Sequence, residues 1–256
     1  GAPEDGSYDD EGNYISPFWS RHGSVKVYRN TNNIWTQIGN EIKGLFYNAY
    51  LGYQISLSDD GLTVASAGYR DTSSSPINSS YKSGILVHKF IDNKWELIGD
   101  NFLHGSSLKN QSINIDLSKD GKLLVIGRTF DKKLFENDDA IYGNAHVSHF
   151  DIYKFENNTW TKLGDSIIQE HLLSYNHLNP KIVSDSSASN PIISISTIGQ
   201  GNNLVYKFHK GVWINVDAIP LSTSHDISSD GSSIVIGKQN TYKDGRNIPS
   251  TVNVYK

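Results

Sequence analysis

Four tryptophans set the frame of this chain. They stand in Trp35-Thr-Gln-Ile38-Gly39, Trp95-Glu-Leu-Ile98-Gly99, Trp160-Thr-Lys-Leu163-Gly164 and the more divergent Trp213-Ile-Asn-Val216-Asp217, spaced 60, 65 and 53 residues apart. Self-similarity at a period of tens of residues means one supersecondary unit written several times, and each unit buries its apolar face only against its neighbours. Before each tryptophan lies a strand-like segment: Val25–Arg29, Leu86–Phe90, Asp151–Phe155 and Leu204–Phe208, with a fifth copy at Val252–Lys256.

After each tryptophan segment comes an alternating strand, clearest in Ile113-Asn-Ile115-Asp-Leu117-Ser118, whose period of two fits a sheet with one covered face. It closes in Ser58-Asp-Asp60-Gly61, Ser118-Lys-Asp120-Gly121 or Ser228-Ser-Asp230-Gly231; Ser and Asp bond local amides, and Gly accepts positive φ. The third copy has Ser184-Asp-Ser-Ser187 and a longer insertion instead. Then follow Leu123–Ile126, Ile192–Ile195 and Ile234–Ile236, apolar without alternation and therefore expected to be covered on both faces. Each unit thus has four strands, here named A (52–58 in the second unit), B (62–68), C (84–90) and D (95–99). Tandem four-strand units predict an all-β fold, a β-propeller of four-stranded antiparallel blades. A parallel β-helix is the rival; it repeats over shorter coils and needs no antiparallel hairpins.

The unit boundaries read as a partial blade over 1–50, blades over about 51–99, 100–164 and 165–217, and a partial blade over 218–256. The opening Gly1-Ala2-Pro3 aligns with the segment that follows strand B in later units, so the expectation is a chain that starts in mid-blade and forms an arc of a larger propeller.

Composition narrows the function classes. A formal charge of -4 and a pI near 6.1 give no basic surface for nucleic acid or an anionic membrane. The apolar runs span only a few residues, too short for a membrane helix. With 0 Cys there is no disulfide, thiolate metal site or cysteine nucleophile.

The order Gly52–Ser58, Leu62–Gly68, Gly84–Phe90, together with the opening Gly-Ala-Pro, resembles the FG-GAP propeller repeat of integrin α-subunits. The added Trp-x-x-Ile-Gly strand is similar to the variant found in large secreted or surface repeat proteins of microbes, algae and some large DNA viruses. The resemblance covers essentially the whole chain and implies an extracellular, cell-surface or virion-surface location. Where an integrin repeat places alternating Asp residues for calcium, this chain has Ser-x-Asp-Gly, too few oxygen ligands for that cation.

In a four-stranded meander the A–B and C–D turns share one face of the disc, and the B–C and D–A connections the other. The second face carries the longer segments, from the start to about residue 22, 69–83, 128–146, 40–51 and 100–110. Long loops on a rigid scaffold are where recognition residues sit. The ligand-binding candidates are accordingly Tyr8, Asp9, Tyr14, Phe18, Trp19 and Arg21 in the first loop, and Tyr69, Arg70 and Arg128 at matching places in the next two units. Aromatics beside carboxylates and Arg suit stacking on a sugar or clamping a peptide; the plainer reading has Phe18 and Trp19 packing the loop on its own blade.

Chemistry is sparse. His146 and His149 point to opposite faces of one strand and make no metal site. His88 occupies the place of Tyr28, Tyr153, Tyr206 and Tyr255, as a packed ring. Asp116, a carboxylate on an innermost strand, lacks the second acid that glycoside hydrolysis requires; the other A strands offer Gln54, Ser56, Asn114, His225 and Asp226. The sequons at Asn78, Asn110 and Asn157 fall in loops or turns. The sequence reads as a non-enzymatic module without cofactor or metal. It is expected to bind a protein or glycan on the long-loop face, with no nucleic-acid partner and no membrane insertion. Alternatives are a structural subunit packed against neighbouring subunits or the rest of a longer parent chain, and a carbohydrate-active enzyme.

Overall fold

The computed structural model describes residues 22–45, 49–68, 83–99, 102–104, 113–131, 146–171, 178–184, 186–197, 203–219, 224–228, 232–238, 241–243, 246–248 and 250–255. These form strands and turns only, and no helix among them is long and apolar enough to cross a membrane.

The second blade has β5 (Leu51–Leu57), β6 (Thr63–Gly68), β7 (Ser83–Ile91) and β8 (Lys94–Leu97), each antiparallel to the next. The third repeats this with β10 (Ile113–Leu117), β11 (Leu123–Asp131), β12 (His146–Glu156) and β13 (Thr159–Lys162), and the fourth with β15 (Leu178–Ile182), β16 (Ile192–Thr197), β17 (Asn203–His209) and β18 (Val212–Ile219). Among the described residues the first blade contributes C and D, as β1 (Ser24–Val25), β2 (Tyr28–Thr31), β3 (Ile34–Gln37) and β4 (Ile42–Lys43). The fifth has β19 (Ser224–Ile227), β20 (Ile234–Lys238) and β23 (Thr251–Tyr255), with a hairpin β21 (Thr241–Lys243) and β22 (Arg246–Ile248) between B and C.

Register confirms the repeat. Val64, Leu124, Ile193 and Ile234 on the B strands lie opposite His88, Tyr153, Tyr206 and Tyr255 on the C strands. All four C–D turns have two residues, Asn32-Asn33, Asp92-Asn93, Asn157-Asn158 and Lys210-Gly211, both with positive φ. That is the backbone of a type I′ turn, whose twist matches its strands and which Asn, Asp and Gly tolerate best.

The D edge is longer than the sequence reading places it. β9 (Phe102–His104) pairs with β7 beyond Gly99, and β14 (Ile167–His171) pairs with β12 beyond Gly164, so both belong to the blade before the boundaries drawn at 99 and 164. β4 likewise extends the first blade. The segments 40–51 and 100–110, taken as loops, therefore each contain a strand. Positive φ at Gly39, Gly99 and Gly164 breaks the edge at the same point each time. The fourth blade has Asp217 at that place; β18 runs on through a register shift rather than a break.

Blades pack face to face. Val25, Val27 and Ile42 of the first meet Leu51, Val64, Leu86 and Trp95 of the second. Ala65, Ala67, Ile85 and Val87 of the second meet Ile113, Ile115, Leu117, Leu124 and Ile126 of the third. Leu123, Val125, Phe150 and Ile152 meet Ile182, Ile193 and Ile195, and Val205 meets Ile234 and Ile236. Successive residues of β11 thus serve two cores, which explains its run without alternation. The A strands lie innermost, β10 against β5 and β15 against β10.

Candidate functional site

The short-turn face is closed by its own side chains. In the second blade Ser58 Oγ donates to Asp60 Oδ1 at 2.6 Å and accepts the Thr63 amide at 2.9 Å, while the Leu62 amide donates to Asp60 Oδ1. Ser118, Asp120 and Leu123 repeat this. Ser184 keeps the serine role, accepting the Ile192 amide at 2.9 Å, and Ser186 donates both amide and hydroxyl to Asp120 Oδ2. Burial alone would raise the Asp120 carboxyl, but the bonds from Ser118, Ser186 and Lys122 outweigh it and hold the group below its ordinary range. The Asp60 and Asp120 carboxylates are taken up by hydroxyls and amides.

At the innermost strands Asp116 joins three blades. Ser56 Oγ of β5 donates to its Oδ1 at 3.2 Å, the Ile182 amide of β15 donates to Oδ2 at 2.9 Å, and Lys181 Nζ lies 3.6 Å from Oδ1. Ser56 also accepts the Leu117 amide. Burial dominates and raises the Asp116 carboxyl above its ordinary value against the pull of Lys181. Its nearest ionic partner is a lysine and not a second carboxylate. Between the fourth and fifth blades, buried Ser194 and His225 share a hydrogen bond of 2.7 Å through Oγ and Nε2. Ser194 is fully enclosed, so it cannot meet a substrate as a nucleophile.

Arg128 is placed in β11, not in a loop, because β11 runs to Asp131 and the connection it was assigned to covers 132–145. Its guanidinium pairs with the buried Asp151 of β12, which also takes Lys162 Nζ at 2.7 Å and the Ser166 hydroxyl at 2.6 Å. Burial opposes ionisation of Asp151, yet these three partners together keep its carboxyl below the ordinary range. His149, opposite Arg128 on β12, is lowered first by burial and then by the Arg128 charge. The sequence reading passed over Asp151. The available signal was its register: a carboxylate stands where Leu86 and Leu204 stand in the neighbouring units. Tyr8, Asp9, Tyr14, Phe18, Trp19, Arg21, Tyr69 and Arg70 lie outside the described residues. The fifth blade's B–C connection contains the β21–β22 hairpin, which the sequence reading missed. Among the described residues no group of three or more His, Asp or Glu side chains is arranged to hold a metal ion.

Four-stranded antiparallel meanders packed face to face, with A strands innermost, define the chain as a β-propeller repeat protein. No protein-family profile and no curated protein matches it. Among solved structures it is similar to a Hadza microbial sialidase, at 11% identity and a TM-score of 0.48, over 91% of this chain and 50% of that one. It is also similar to Kuenenia stuttgartiensis hydrazine synthase, at 15% identity and a TM-score of 0.43, over 78% and 57%. A third is the acylaminoacyl peptidase of Pyrococcus horikoshii, at 10% identity and a TM-score of 0.43, over 91% and 38%. The chain spans little more than half of these neighbours at most.

Proposed function

We propose that this chain is a non-catalytic β-propeller module of a surface, extracellular or virion-associated protein, of FG-GAP-like type, that binds a protein or glycan through its B–C and D–A face. The observation that supports it is the use of the ionisable side chains: Asp116, Asp120 and Asp151 are committed to bonds within and between blades, and Ser194 and His225 to each other. The C–D turns of the described blades are trimmed to two residues each, and the reading assigns recognition to the longer B–C and D–A connections instead.

The test is a binding screen of the isolated chain against immobilised glycans and candidate surface proteins, with alanine changes at Tyr69, Arg70 and Trp19. Binding lost in these variants and kept in Asn157→Ala on the opposite face is the expected result. Turnover of a glycoside or ester that disappears in Asp116→Asn would overturn the reading. A structural role inside a larger assembly is the second reading, favoured by the apolar side chains exposed at both ends of the row of blades.

A further inference from the structure

One of the four C–D turns carries more than its backbone requires. The turns are built alike, with φ of 52° and 65° at Asn32-Asn33, 47° and 63° at Asp92-Asn93, 51° and 61° at Asn157-Asn158, and 48° and 89° at Lys210-Gly211. Asn, Asp and Gly tolerate that conformation best, so the fold accounts for the asparagines in these turns. It does not account for the residue that follows. The first position of each D strand is Ile34, Lys94, Thr159 or Val212, which share no size, charge or polarity, and all four are exposed.

Of these four turns only the third blade's sets a hydroxyl two residues after an asparagine at the first turn position, giving Asn157-Asn158-Thr159. The first blade has the same two asparagines but Ile34 in the third place. Asn-x-Thr is the acceptor pattern for an N-linked glycan, a bulky, solvated group that needs an open surface. The surface is open here. Glu156, Asn157, Asn158 and Thr159 are exposed without interruption. Behind them Phe155 and Trp160 stand opposite each other in the ladder with ring centroids 5.0 Å apart, and Lys154 Nζ pairs with Glu156 Oε1 at 2.6 Å. The turn is therefore a solvated tip on a fixed hairpin, where an added group meets no packed surface. The other two sequons, at Asn78 and Asn110, lie outside the described residues.

We propose that Asn157 is an N-glycosylation site, modified from a lipid-diphosphate-linked oligosaccharide. The inference rests on the surface or extracellular location proposed above. In the transfer, Asn157 Nδ2 forms a bond to C1 of the first sugar and loses one proton. The bond from C1 to the phosphate oxygen breaks, and the lipid diphosphate leaves with its electron pair. The glycan then stands on the face of the A–B and C–D turns and leaves the B–C and D–A connections clear.

The test uses the full chain, expressed behind a cleavable secretion signal in a eukaryotic host, with Asn78→Gln and Asn110→Gln so that Asn157 is the remaining acceptor. The secreted chain is expected to migrate more slowly than its calculated mass and to shift to the faster band on treatment with peptide N-glycosidase. That shift is expected to be lost in Thr159→Ala and kept in Thr159→Ser. A second measurement needs no substitution: the tryptic peptide 155–162 of the unaltered chain, after the same treatment, is expected to read aspartate where the glycosylated amide stood. A chain that passes through the secretory pathway with Asn157 unmodified in that peptide, or a shift that survives Thr159→Ala, overturns the proposal. Either result leaves the binding screen untouched, and a screen that finds no ligand leaves the glycan in place, so the two readings fail separately.

Discussion

The indole of Trp95 donates its Nε1–H to the carbonyl of Ile38 at 2.8 Å, and its backbone amide donates to Asn40 Oδ1 at 2.8 Å, so this D-strand residue of the second blade is tied twice to the first. The link recurs from Trp160 to the Ile98 carbonyl at 3.3 Å and from Trp213 to the Leu163 carbonyl at 2.8 Å. Each ring leans on a phenylalanine of its own blade, Phe90, Phe155 or Phe208, with centroids 5.0 to 5.2 Å apart. Each also sits over the glycine after the accepting carbonyl: a Cβ on Gly39 would lie 2.7 Å from Trp95 Cδ1, and one on Gly99 would collide with Trp160. The motif Trp-x-x-Ile-Gly is therefore a relay, in which the Ile-Gly of one blade is the seat of the next blade's tryptophan.

Trp95→Ala should cost about 3–5 kcal/mol in urea unfolding, from lost burial and an unmet carbonyl. Trp35→Ala should cost less than about 1 kcal/mol, because Trp35 is 68% exposed whereas Trp95 is 4% exposed. Equal losses would refute the relay. Gly99→Ala should approach the cost of Trp160→Ala, since positive φ and the indole both oppose a side chain there.

His88 and His225 should make the fold acid-sensitive. Burial lowers both imidazoles to about 4, from an ordinary value of 6.5, with Lys181 contributing at His225. Below 6.5 the unfolded chain binds protons that the folded chain refuses, so stability is full above that pH and falls as pH drops towards 4, by up to about 3 kcal/mol per histidine. His88→Tyr, which restores the residue of the other repeats, should flatten the decline between pH 6.5 and 4 in thermal melts. An unchanged slope would show that His88 does not contribute.

Asp116 should act with the opposite sign. Its raised carboxyl holds a proton more tightly in the folded state than in the unfolded one. The stability of the wild-type chain relative to Asp116→Asn should therefore be greatest at low pH and decline as pH rises through the folded value. Paired urea titrations between pH 3 and pH 7 measure this difference. Parallel curves would mean that the Lys181 contact cancels the effect of burial.

Asp151→Ala should destabilise by about 3–5 kcal/mol, since it leaves two cations facing each other with no anion between them. Arg128→Ala should cost less, because Lys162 and Ser166 remain on Asp151. A larger loss in Arg128→Ala than in Asp151→Ala would place the weight on Arg128 packing instead.

Much of the architecture was legible in the residues. The tryptophan spacing and the Ser-x-Asp-Gly turns located four-stranded units, and the unbroken apolar runs at 123–126 and 192–195 announced strands covered on both faces, as they are. His88 as a substitute for tyrosine was legible too, since position in the repeat defines register. Short D-edge strands such as 102–104 were not, because three residues carry no periodicity of their own and pair only where β7 extends to meet them. Arg128 was misread for a related reason: the end of a strand depends on how far its partner continues, and β12 begins at His146.

By itself the sequence determined the repeat, because its motifs recur once per unit, and the strand order within each blade and the turn chemistry, because these are written within a single unit. Tertiary structure decided what the polar residues do. Asp116 meets Ser56 and Ile182 at separations of 60 and 66 residues, and Trp160 meets the Ile98 carbonyl across 62. Such contacts arise only when one blade is laid on the next, so their partners depend on the packing of whole sheets and not on any local pattern.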